Sequence, residues 1–174
     1  MGAAARAPLT PSLPLRRRPI DWVFLAFWIV NAGFITPMID LEQIVIADPA
    51  RFDDPAWPPR FAVDAIHWWA RTFDPVVWHR AAWYRATIWI DALLFGPFYL
   101  FAIYAFVRGR SWIRIPAFFW AGMMFAVVTI ILFEELAGPT PTPSPGVVIA
   151  ANLPWLLVPL AVVWRMRAER PFSG

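Results

Sequence analysis

Ile88-Trp89-Ile90-Asp91-Ala92-Leu93-Leu94-Phe95 opens an apolar run that continues to Val107, and it carries a carboxylate in its interior. A run of this length reads as a membrane helix. An ionisable group inside such a helix is costly, so it faces the bundle interior and marks a functional site by default. A second run, Phe24 to Ile39, ends on another acid, Asp40.

The rest of the chain has the same character. It is 60% apolar and 16% charged, with 12 Trp and 15 Phe. Four sustained runs predict membrane spans at 20–40, 86–107, 113–136 and 147–164. The first is too long for a cleavable leader, lacks a small-residue cleavage site and is followed by further spans. Cysteine is absent, which excludes disulfides and thiol chemistry. Nothing calls for a metal or cofactor. The expected fold class is an all-α integral membrane protein: a four-helix transmembrane bundle of proline-kinked helices around a ligand pocket.

All 15 basic residues are arginine. The composition hints at a GC-rich bacterial genome. The net charge of +3 is dispersed around spans and is no nucleic-acid signal. Its placement sets topology instead. Arg16, Arg17 and Arg18 precede the first span, Arg108, Arg110 and Arg114 separate the second from the third, and Arg165, Arg167 and Arg170 follow the fourth. The three clusters fall on one face, so both termini are expected in the cytoplasm. The membrane is then the bacterial inner membrane, or the endoplasmic reticulum in a eukaryote.

Residues 1–15 read as a disordered tail, 16–167 as the membrane domain and 168–174 as a C-terminal tail. The connection from Leu41 to Trp83 is too long to be structureless. Within it Phe61, Ala65, Trp68, Trp69 and Phe73 recur at near-helical spacing, which predicts an amphipathic helix at the lipid interface. Asp74-Pro75 has the pattern of a helix N-cap followed by proline at the first helical position.

Prolines punctuate the spans. Pro37 lies just before Asp40, Pro97 follows Asp91, Pro116 sits in the first turn of the third span, and Pro154 and Pro159 interrupt the fourth. An internal proline removes a backbone hydrogen bond and bends the helix. The freed carbonyl is tolerated in a bilayer only where protein, water or ligand satisfies it. Kinks beside buried acids point to a cavity; single prolines that merely shape packing are the plainer reading.

In this topology the first span runs outward and the second returns. Asp40 and Asp91 then share one half of the bundle, with Asp91 about 9 Å below the start of its helix. Two carboxylates in a low dielectric do not both ionise cheaply; one proton shared between them leaves one negative charge. That charge suits a ligand cation, and the pair also suits acid–base work on an apolar substrate. Two structural alternatives stand beside this: Asp40 solvated at the membrane edge, and Asp91 paired with Arg85. Asn31, Thr36 and Asn152 are further polar groups within spans, and Trp155 and Tyr104 are candidate aromatic walls for a cation. Glu134 and Glu135 read as a solvated helix end, and His67 and His79 as interfacial or surface residues.

Several segments, in order across 17–166, carry a resemblance. They include Thr36-Pro37-Met38-Ile39-Asp40-Leu41-Glu42, Trp69-Ala70-Arg71-Thr72-Phe73-Asp74-Pro75, Asp91 with Pro97-Phe98, Leu132-Phe133-Glu134-Glu135 and Pro154-Trp155-Leu156-Leu157-Val158-Pro159. The chain resembles the EXPERA-domain family, most closely its sigma-2-receptor branch and more distantly its emopamil-binding, sterol-isomerase branch. The resemblance implies four membrane helices, a lipid-facing opening into an occluded pocket, and a homodimer. It implies that Asp40 pairs with the protonated amine of a ligand and that Asp91 hydrogen-bonds Asp40. Sterols and amphiphilic amines are the implied ligands. In the isomerase branch both acids are Glu, and a His occupies the position of Thr36. The expected function is therefore a receptor or binding protein. The alternative is a sterol or terpenoid double-bond isomerase or cyclase that uses the same acids for proton transfer.

Overall fold

The computed structural model describes residues 12–173. After a single 3-10 turn at Leu15–Arg17, these residues form six longer helical elements: α1 Pro19–Val45, α2 Arg60–Thr72, α3 Pro75–His79, α4 Ala82–Arg108, α5 Ser111–Ala137 and α6 Pro145–Arg165. Helices α1, α4, α5 and α6 are long and apolar enough to cross a bilayer. They match the four expected spans, and α1 and α4 extend several residues beyond them. Their outer faces carry exposed Leu93, Leu100, Phe101, Phe119, Phe133 and Leu157. So much exposed apolar surface is stable only against hydrocarbon, and the chain is an integral membrane protein.

Two spans change pitch. α1 passes into a π-helix over Asn31–Asp40 and returns to α geometry over Leu41–Val45. α4 does so over Asp91–Phe95. Pro37 and Pro97, which cannot donate to a regular ladder, lie within or just after these wide turns. Pro154 and Pro159 sit inside α6, whose α-helix runs through both.

The interior divides along the bundle axis. At the arginine-rich end an aromatic core fills the space: Trp28 stands edge-on to Phe106 at 4.5 Å, and Phe98 stacks on Trp120 at 5.2 Å. Charges tie this end together. Buried Asp21 takes Arg165 Nε at 2.7 Å and also pairs with Arg18, whose Nη2 donates to the Phe106 carbonyl at 2.7 Å. Arg114 donates to the Met166 carbonyl at 2.9 Å. The three arginine clusters therefore share one end, as the topology required.

Of the tails expected at 1–15 and 168–174, the structure describes residues 12–15 and 168–173, and these contact one another and the bundle. Residues 1–11 lie outside the described residues. Leu13 N donates to Phe172 O at 2.8 Å, and Ser12 bridges Ser173. Phe172 is buried against Phe106 beneath the guanidinium groups of Arg18 and Arg165. An apolar side chain and cation–π contacts anchor what composition alone read as tail. Gly109 ends α4 in the left-handed region at φ 61°, where a Cβ would stand 2.7 Å from Ser12.

Candidate functional site: a carboxylate pair in an apolar cavity

The half of the bundle away from the arginines holds a cavity of about 510 Å³. Its walls come from all six helices and are mostly apolar: Ile39, Ile66, Val77, Ile88, Met124 and Trp155 are representative. α2 roofs it. Phe61, Ala65, Trp68 and Trp69 line the cavity, while Val63, His67 and Ala70 pack into the protein. The expected amphipathic helix is present, and Phe61, Trp68 and Trp69 of its aromatic stripe face the cavity.

Asp40 and Asp91 both line this space. α1 does not end at Asp40 but continues to Val45, so Asp40 lies within the helix and is only 5% exposed. It is not a solvated residue at the membrane edge. Asp91 makes no ion pair with Arg85 among the described residues. Instead the Asp40 and Asp91 carboxyl groups face one another, with Thr36 beside both. Thr36 Oγ1 donates to Asp91 Oδ1 at 3.4 Å. Carboxylate oxygens only accept, so a hydrogen bond between the two acids requires one proton held in common. One Asp40 oxygen, Oδ2, is buried without a partner. The π-helical turns in α1 and α4 carry these acids, and such turns are frequent at functional sites.

The other candidates divide. Asn152 and Trp155 on α6 line the cavity. Asn152 Nδ2 donates to Val148 O at 3.0 Å, and Trp155 Nε1 donates to Asn31 Oδ1 at 2.9 Å. Trp155 thus offers a ring to the cavity with its polar edge already satisfied. Thr36 stands behind the acids, in a groove between α1 and α4 that also contains Pro37 and Gly96. Tyr104 is misplaced by the sequence reading: it is 51% exposed and does not line the cavity. It lies ~20 Å along α4 from Asp91, on an outward face. Tyr84, whose hydroxyl donates to Gln43 Oε1 at 2.6 Å, is the tyrosine in the wall.

Two buried polar clusters escaped the sequence reading. Glu42, two residues beyond Asp40, accepts from Arg80 Nη2 at 2.7 Å and lies 2.8 Å from His67 Nε2. His67 is 6% exposed, between the ring edges of Phe52 and Trp78, and so is not a surface residue; His79 is exposed as expected. Glu135 is fully buried rather than solvated, and its Oε1 accepts from Val76 N at 3.1 Å. Asp74 caps α3 as read, accepting from Val77 N at 3.0 Å, and it also touches the cavity and Glu135. At the far surface Arg60 bridges Asp54 at 2.5 Å and Asp64 at 2.9 Å, an exposed network of little consequence for stability. Residue spacing gave a hint only for Glu42, which shares a helix with Asp40.

The fold and site define a class: a four-helix membrane protein with paired carboxyl groups inside a cavity walled by apolar side chains. The family described as EBP: EXPERA (EXPanded EBP superfamily) matches residues 61–166, and the chain belongs to it. It is similar to proteins named sigma intracellular receptor 2. The one from Xenopus tropicalis is 26% identical over 160 residues, covering 86% of this chain and 88% of the relative. The one from Macaca fascicularis is 24% identical over 165 residues, covering 87% and 89%. The human protein is 25% identical over 130 residues, covering 71% and 69%.

Proposed function

We propose that this is a membrane-embedded receptor or binding protein for sterol-like lipids and hydrophobic cationic amines. The observation that carries the reading is the position of Asp40 and Asp91, face to face in an apolar cavity of about 510 Å³. That volume is typical of a small-molecule site, and a few convergent polar groups in an apolar wall are what fix orientation. Asp40 is the anchor for the amine, and Asp91 is its hydrogen-bonded support. The pair holds one negative charge, so a monocation that binds it leaves the pair neutral. Trp69 and Trp155 supply ring surface to the same cation. The chain's similarity to sigma intracellular receptor 2 supports this assignment.

Isomerisation of a sterol or terpenoid double bond is the second reading. Paired acids that share a proton, in a wall rich in tryptophan, favour it. Thr36 weighs against it, because a hydroxyl held on Asp91 occupies the position where the resembling isomerases carry an imidazole. Homodimerisation, an endoplasmic-reticulum or bacterial inner-membrane location and cytoplasmic termini belong to the same proposal. They rest on the family resemblance and on the single arginine-rich end.

The test is equilibrium binding in lipid nanodiscs of a hydrophobic tertiary amine and of the isosteric hydrocarbon that lacks the nitrogen. The amine binds and the hydrocarbon binds far more weakly. Equal affinity for both removes the carboxylate pair from ligand recognition. Incubation with a Δ8-sterol separates the readings, since only an isomerase yields a product of equal mass and altered retention.

A further inference from the structure

Tyr99 is a wholly buried phenol on α4, and nothing in the function proposed above uses it. Its hydroxyl has no closed hydrogen bond, and neither has Nε1 of Trp120, whose ring stands edge-on to Tyr99 at 6.2 Å. Orphaned buried donors are rare, and each calls for an explanation.

The backbone of α4 explains where the hydroxyl points. Eight positions separate Tyr99 from Asp91. On a regular helix that spacing leaves the two side chains about 80° apart around the axis. The π-helical turn Asp91–Phe95 absorbs one residue, which returns Tyr99 to the face of Asp91. Helical side chains lean toward the N-terminus, so the Tyr99 ring reaches back toward the carboxylate. Its hydroxyl lies between Asp91 on one side and the Trp120 indole on the other.

Chemistry fixes the direction of this chain. The Trp120 N–H can only donate, so in a closed chain Tyr99 Oη is its acceptor and the Tyr99 O–H is free to donate to Asp91. Asp91 also receives the Thr36 hydroxyl. We propose that Tyr99, backed by Trp120, is a positioning residue of the carboxylate pair. It donates to Asp91, so in the empty cavity the shared proton lies on the Asp40 side of the pair; when a cation reaches Asp40 the proton moves across the same hydrogen bond to Asp91, and the pair keeps its single negative charge. The inference rests on the ligand reading above only for its consequence in binding. The contact itself is independent of any ligand.

The experiment uses the full-length protein in nanodiscs, as wild type and as Tyr99→Phe, which keeps the ring and removes only the hydroxyl. Infrared spectra record the carboxylic C=O stretch of the pair, with Asp40→Asn and Asp91→Asn assigning the band. Tyr99→Phe shifts the band without changing the melting temperature, and Trp120→Phe shifts it less in the same direction. In binding, Tyr99→Phe weakens the tertiary amine by roughly three- to tenfold, the worth of one hydrogen bond, and leaves the hydrocarbon unaffected. A carboxyl band that superimposes on the wild type overturns the proposal. If the wild type binds no amine, the ligand reading fails while the band still decides the role of Tyr99.

Discussion

Arg80 Nη2 lies 3.0 and 2.7 Å from the two carboxylate oxygens of Glu42, and neither side chain is exposed to solvent. Arg80 reaches this position from a left-handed backbone at φ 47°, unusual for a non-glycine residue, and also donates to the carbonyls of Ile46 and Val77. The pair clamps the end of α1 to α3, and His67 joins α2 to the same carboxylate. The cavity roof is therefore held by charge as well as by packing. Removing one partner strands the other without solvent. Arg80→Met is expected to destabilise the protein by ~3–5 kcal/mol, and Glu42→Gln by less because the amide keeps an acceptor. Thermal unfolding in detergent, followed by tryptophan fluorescence, measures both.

Glu135 presents a different case. One oxygen accepts from the Val76 amide, the other has no partner, and Asp74 is its neighbour. Glu135→Gln retains the acceptor and brings an amide donor toward Asp74, so stability is expected to hold or rise. Glu135→Ala leaves the Val76 amide unpaired and costs ~1–3 kcal/mol. Unfolding midpoints of the two variants check the contrast.

At the opposite end Asp21 serves two arginines, Arg18 and Arg165, from a position with no exposure. Asp21→Asn leaves a buried Arg18 and a partly buried Arg165 with no counter-charge and loosens the terminal clasp on Phe172. A loss of ~3–5 kcal/mol is expected. Protease sensitivity near residues 12 and 173, compared with wild type, reports whether the clasp opens.

Gly109 adds a backbone prediction at the same end. Its positive φ and the 2.7 Å approach of Ser12 leave no room for a methyl group. Gly109→Ala is expected to cost ~1–2 kcal/mol. Pairing it with deletion of residues 1–12 relieves the steric part and leaves the conformational part, as paired melting curves would show.

Much of this was legible in the chain. Hydropathy located the four spans because lipid exposure demands long apolar runs whatever packs against them. Topology brought Asp40 and Asp91 to one half of the bundle, and Asp74 announced its cap through the proline that follows it. What stayed hidden depended on contacts without local signature. Glu42 finds Arg80 and His67 through a connection that folds back over α1, and nothing in their spacing marks the encounter. Glu134 and Glu135 look alike in sequence; the rotation of α5 leaves one half-buried and the other fully enclosed. Tyr104, read as a candidate wall of the site, falls outside it for a related reason. The wide turn at Asp91 shifts the register of every residue after it, and a regular helical count does not anticipate that shift.

The central claim is that Asp40 and Asp91 form one ligand-anchoring unit. The direct measurement is the affinity of a hydrophobic tertiary amine for purified wild type, Asp40→Asn and Asp91→Asn, each shown to be folded by its melting curve. The account predicts that Asp40→Asn abolishes binding and that Asp91→Asn weakens it. Wild-type affinity in both variants would contradict it.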